Sequence, residues 1–127
     1  RLGGDFITSD LVPLSTGIDI EQEMVHMLLG KNVQLIRDDN AAMIKYFALP
    51  EGTFVTKKFD ENRVKKLFPS VHKAKFYLNT GDVAMSVTNS LNRHGYLITS
   101  FETQSEMDKR IEIISDKVDK LINESEV

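Results

Sequence analysis

Tyr96-Leu97-Ile98-Thr99-Ser100-Phe101-Glu102-Thr103-Gln104-Ser105-Glu106-Met107 changes its hydrophobic period halfway along. Tyr96 to Phe101 has the aromatic and β-branched content of a strand. Thr103 and Glu106 then form a Thr-x-x-Glu capping box, which satisfies backbone N–H groups that a helix start leaves open. From there Met107, Ile111, Ile114, Val118 and Leu121 recur at alternating four- and three-residue steps, so they share one face of a helix. The positions between them, Lys109, Arg110, Glu112, Asp116, Lys117, Asp119 and Lys120, are charged and of mixed sign, as on a solvated outer face. A long C-terminal helix with one apolar stripe must lie on an apolar surface, and a sheet containing the strand before it supplies one.

The strands expected to complete that sheet lie upstream. Ala41 to Leu49 reads as a strand closed by the turn Pro50-Glu51-Gly52, and Thr53 to Phe59 resumes extended structure, so the two are expected to pair as a hairpin. Asp60 is placed to cap a short helix through Phe68, with Val64, Leu67 and Phe68 buried and Pro69 past its end. Ala74 to Leu78 alternates Phe76 and Leu78 against Lys75 and Tyr77 as a further strand, Asn79-Thr80-Gly81-Asp82 turns the chain, and Val83 to Val87 extends as another. Asn89 to Arg93 is polar and reads as a loop. The fold class expected is α+β, a mostly antiparallel sheet of four to five strands packed by the C-terminal helix.

The first forty residues read differently. A loop runs through Leu11-Val12-Pro13-Leu14-Ser15, after which Asp19 is a natural N-cap with Gln22 three residues on. A helix from Ile20 would carry Ile20, Met24, Met27 and Leu28 on one face and stop at Gly30-Lys31-Asn32. The polar cluster Arg37-Asp38-Asp39-Asn40 marks a boundary. Two parts are therefore expected, 1–39 and 40–127, with the first as a separate flap of helix and loop.

Composition removes several functions. The chain has 127 residues, 41% hydrophobic and 28% charged, enough for one or at most two small cores. Its 16 basic and 19 acidic side chains are interspersed and sum to −3, so no basic field exists to hold a nucleic-acid backbone. No cysteine is present, which excludes disulfides, thiolate zinc sites and cysteine nucleophiles and fits a cytoplasmic protein. The apolar runs fall far short of the roughly 20 residues that span a bilayer, so no membrane role is expected. His26, His72 and His94 show no metal-ligand spacing, and neither a nucleophile elbow nor a glycine-rich phosphate loop occurs.

What remains for chemistry is Arg1-Leu2-Gly3-Gly4-Asp5. A guanidinium forks onto a carboxylate or phosphate, and glycines allow a ligand close to their backbone N–H groups. Donors fixed in this way stabilise negative charge that develops on an acyl phosphate or tetrahedral intermediate. Taken alone, the same residues also fit a turn beside a surface arginine. A chain that starts at Arg1 and runs at once into paired glycines is expected to have been cut from something larger.

The succession Arg1-Leu2-Gly3-Gly4-Asp5-Phe6-Ile7, Leu11-Val12, Ser15-Thr16-Gly17-Ile18-Asp19-Ile20 and Gly30 resembles the end of an ATP-grasp domain, in which a Thr-Gly-Val-Asp-Leu-like segment opens a helix. Ala41-Ala42, Phe47, Pro50, Gly52, Arg93-His94-Gly95-Tyr96, Ile98 and Thr103 resemble the C-terminal subdomain of the carboxylate-amine ligase branch of that superfamily. The resemblance implies that 1–39 ends an ATP-grasp catalytic core and that 40–127 is the ligase's C-terminal subdomain. It implies a parent enzyme that uses ATP and Mg2+ to activate a small-molecule carboxylate as an acyl phosphate for attack by an amine. Arg1 would be catalytic, and Arg1, Gly3 and Gly4 would bind substrate. The phosphate loop, nucleotide-binding lysine and Glu-x-Asn magnesium ligands of the family do not occur in this chain. No cofactor or metal residue is therefore assigned here, the rest of the ligase chain is the implied partner, and the piece alone is expected to be inactive. From the residues of 40–127 alone, the alternative is a non-catalytic α+β binding or oligomerisation module.

Overall fold

The computed structural model describes residues 4–33 and 38–123. Three strands, β1 (Ala41–Phe47), β2 (Val71–Phe76) and β3 (Gly95–Phe101), form one antiparallel sheet in the order β1-β3-β2. The helices are α1 (Val12–Thr16), α2 (Ile20–Leu28), α3 (Glu61–Leu67) and α4 (Gln104–Asn123), with one π-helical stretch at Ile7–Leu11 and one 3-10 turn at Ser90–Asn92.

β3 is central because its residues are apolar on both sides. Leu97 and Phe101 join Phe47, Val71 and Ala74 in the core under Met107, Ile114, Val118 and Ile122 of α4. The helix starts where the sequence placed it, with the Glu106 N–H donating to Thr103 Oγ1 at 3.1 Å. That cap is worth about 1 kcal/mol, whereas burying each large apolar side chain of α4 contributes about 1.5–3 kcal/mol, so the apolar stripe holds the helix in place.

The alternate residues of β3, Tyr96, Ile98 and Ser100, point to the opposite face. Ile98 is nevertheless fully buried, with 0% exposure, because the N-terminal segment lies there. The π-helical stretch and α1 both contact β1, the Phe6 ring stacks on Tyr96, and Asp10 pairs with Lys73 of β2. Asp38 and Asn40 N–H groups donate to the Thr16 and Ser15 carbonyls at 2.7 and 2.9 Å, tying the start of β1 to the end of α1. The expected separate flap is thus, in residues 4–16, the third layer of a helix-sheet-helix stack.

Other expectations hold or are corrected. α2 begins at Asp19, whose carboxylate accepts from the Gln22 N–H at 3.0 Å, and Gly30 takes the left-handed stop with φ 73°. Its expected inner residues Met27 and Leu28 are exposed, however, while Ile20 and Met24 are half-buried. Asp60 caps α3 through Asn62 and Arg63, and Val64 is buried, but Leu67 is exposed. The sheet has three strands rather than four to five. Thr53 to Phe59 does not pair with β1, whose partner is β3, and Phe54 makes an isolated bridge to Val83. Val83 to Val87 adds no strand, since the Asn92 side chain occupies the Ser86 carbonyl and the Thr88 N–H that a ladder would need. β2 runs from Val71 rather than Ala74, with a register shift between Val71 and Lys73 that interrupts its alternation.

Two residues of Arg93-His94-Gly95-Tyr96 organise the loops at this end of the sheet. Buried His94 accepts from the Leu49 N–H through Nδ1 at 3.0 Å and donates from Nε2 to the Met85 carbonyl at 2.7 Å, joining two loops. Gly95 lies opposite Phe47 and Phe76. A Cβ there would press into the Lys75 carbonyl oxygen and come within 2.9 Å of Phe76 Cα and 3.0 Å of Phe47 Cδ2. Only glycine lets the three strands pack this closely.

Candidate functional site

Of the residues the sequence singles out, Arg1 and Gly3 lie outside the described residues, and Gly4 is exposed at the edge of the N-terminal layer. Gly4 begins a turn in which the Ile7 N–H donates to its carbonyl at 3.3 Å. A Cβ at Gly4 would meet only Ile7 Cδ1, at an ordinary 3.8 Å. Unlike Gly95, Gly4 is therefore not required to be glycine by any contact among the described residues.

The turn is held by an unusual residue. Phe6 occupies its third position with φ 63° and ψ 1°, the one left-handed non-glycine residue among those described. That position ordinarily takes glycine or asparagine, and a side chain there costs about 1–2 kcal/mol. Its ring centroid lies 4.6 Å from that of Tyr96, tilted by 40°, a contact worth about 0.5–1.5 kcal/mol beyond burial. Together with the partial burial of the side chain, that contact offsets the strain, so Phe6 holds its left-handed conformation through its seat on Tyr96. The Phe6 carbonyl then accepts from both Asp10 and Leu11 N–H groups, at 3.1 and 2.9 Å, which widens the turn into the π-helical stretch.

Asp10 pins the far end of that stretch through a 2.7 Å ion pair with Lys73 Nζ. Burial pushes the Asp10 carboxyl up, but hydrogen bonds from Lys73 and Ser9 outweigh it and leave its pKa lowered. The same hydrogen bond, donated to Asp10, raises the Lys73 pKa against partial desolvation. Burial, with help from Tyr77, raises the Tyr96 phenol, so it stays protonated under the Phe6 ring.

Tyr46 lies opposite Tyr96 in the β1–β3 register. The Arg93 guanidinium sits 3.8 Å from the Tyr46 ring centroid, and among the described residues no carboxylate pairs with it. A cation held flat on an aromatic ring keeps its N–H edges available for an anion. The sequence places Arg93 in the run Arg93-His94-Gly95-Tyr96 but gives no sign that it meets Tyr46 and, through Tyr96, the Phe6 turn, because that meeting depends on strands far apart in the chain. Among the described residues no three His, Asp or Glu side chains converge as a metal-ligand set, and no helix is long and apolar enough to cross a membrane.

The same architecture occurs as a part of larger solved proteins. Two solved structures share it over 91% of this chain. Phosphoribosylglycinamide synthetase from Anaerococcus prevotii superposes with a TM-score of 0.66 at 17% identity, and L-amino acid ligase from Bacillus licheniformis with 0.67 at 20%. This chain spans 30% and 29% of their respective lengths. No protein-family model matches the sequence, and no curated protein is significantly similar to it. The resemblance read from Thr16-Gly17-Ile18-Asp19-Ile20 and Arg93-His94-Gly95-Tyr96 is thus met at the level of fold.

Proposed function

We propose that this chain is the C-terminal portion of a cytoplasmic ATP-dependent carboxylate-amine ligase and that Gly4 lies on the acyl side of its active site. The observation that supports this reading is an exposed glycine that packing among the described residues does not require, next to a sheet whose fold is shared with proteins more than three times as long. In this reading 1–39 ends the catalytic core and 40–127 is the C-terminal subdomain. Arg1 would fork onto the acyl phosphate, and the Gly3 and Gly4 backbone N–H groups would approach the same oxygen atoms. Arg93 on Tyr46 supplies a second cation at this end of the sheet for an anionic group of the substrate.

ATP and Mg2+ belong to the reaction, in which they drive formation of the acyl phosphate and neutralise its charge. In this reading both would be held by the upstream core. The isolated chain is accordingly expected to show no magnesium-ATP binding by calorimetry and no activity. The deciding experiment is carried out on the full-length protein. Phosphate release from ATP should depend on both a carboxylate and an amine, and Arg1→Ala should lower turnover by roughly 10²-fold or more. A coding sequence without a Glu-x-Asn element and an ATP-binding region upstream of Arg1, or an Arg1→Ala enzyme of unchanged rate, would refute the assignment.

A further inference from the structure

We infer that Phe6 is a positioning residue whose ring, seated on Tyr96, fixes where the Gly4 backbone is presented to the substrate; this rests on the reading of Gly4 given above. Three observations converge on Phe6. It adopts φ 63° at a turn position where glycine would be unstrained. Its side chain is not free but stacked at 4.6 Å on Tyr96, which is buried in the central strand and itself lies 6.2 Å from the Tyr77 ring. Its carbonyl accepts from two N–H groups of the π-helical stretch, whose other end is anchored by Asp10 on Lys73.

The turn Gly4–Ile7 is therefore held at Phe6 and the stretch after it at Asp10, both against the rigid sheet rather than against a loop. Single π-turns inserted into helical segments are frequent at functional sites. Residues in left-handed strain persist where the surroundings over-determine them. A glycine at position 6 would keep the turn but release the peg, leaving Gly4 to move relative to the sheet. Since catalytic donors must be held within a fraction of an ångström, such release acts on the reaction more than on folding.

The test uses the full-length protein with Phe6→Gly and Phe6→Tyr, the second of which keeps the ring. Phe6→Gly is expected to lower kcat/KM for the carboxylate by roughly 10²-fold while the protein still folds, whereas Phe6→Tyr stays within about threefold of wild type. Hydrogen exchange provides a readout independent of activity. The Ile7, Asp10 and Leu11 amides should exchange at least about tenfold faster in Phe6→Gly, with α4 amides unaffected. Phe6→Gly with kcat/KM within about threefold of wild type, equal losses in both variants, or unchanged exchange at Ile7, Asp10 and Leu11 would each overturn the inference. A wild-type protein without ligase activity would remove the functional reading instead, and the exchange result would still decide whether Phe6 fixes the turn.

Discussion

Gly95→Ala should unfold this protein far more readily than its single added methyl suggests. The new Cβ would press into the Lys75 carbonyl oxygen while also crowding Phe76 Cα at 2.9 Å and Phe47 Cδ2 at 3.0 Å. Restoring an ordinary carbon-oxygen separation of about 3.3 Å requires β2 and β3 to part by on the order of 1 Å. Hydrogen bonds weaken steeply over that range. The Tyr77 N–H to His94 carbonyl bond, now 2.8 Å, is the first to be lost, along with a neighbour in the ladder. At about 0.5–1.5 kcal/mol each, added to about 1–3 kcal/mol for overpacking, the loss comes to roughly 3 kcal/mol. For a domain of this size that is a fall in Tm of about 10 °C. Thermal unfolding followed by circular dichroism, on wild type and variant in the same buffer, measures it. A Tm within about 3 °C of wild type would show that the strands have slack at this crossing and that Gly95 is not what sets their spacing.

Gly4→Ala is the converse case: its Cβ makes only an ordinary contact with Ile7 Cδ1 at 3.8 Å, so stability should change by less than about 0.5 kcal/mol, while kcat/KM in the full-length enzyme falls at least about tenfold; denaturant titration and steady-state kinetics together check it. The Asp10–Lys73 pair should make stability depend on pH. Because the Asp10 pKa is lowered in the folded state, its contribution is present above the ordinary carboxylate pKa and is lost as the pH falls through the folded value. Urea midpoints of wild type and Lys73→Met should therefore differ at neutral pH and converge in strong acid, and a constant difference at every pH would assign the effect to packing instead.

Much of the fold was legible wherever a signal is local. α4 was readable because Met107, Ile111, Ile114 and Val118 face one way whatever lies under them, and α2 and α3 because Asp19 and Asp60 are caps within three residues of the N–H groups they serve. The hairpin expectation failed because Pro50-Glu51-Gly52 does specify a turn, with Thr53 N–H on the Pro50 carbonyl at 3.1 Å, but a turn does not specify the partner. β1 finds its partner in β3, some fifty residues on, where the matching apolar face lies. The π-helical stretch was hidden because left-handed entry normally shows as glycine, and here it is phenylalanine. For the site, paired glycines advertised Gly4, whereas Tyr46, Arg93 and Tyr96 meet only through strand register.

The burial of Ile98 from two sides has a consequence for how such a unit can be moved between proteins. A graft that took residues 40–127 alone, following the polar boundary at Asp38-Asp39-Asn40, would strip the sheet of its second cover and leave Ile98 and Tyr96 facing water. Recombination that preserves solubility must carry the segment from Gly4 onward along with the sheet. The strand of polypeptide closest to the proposed chemistry is then inherited together with the scaffold beneath it, as one indivisible cassette.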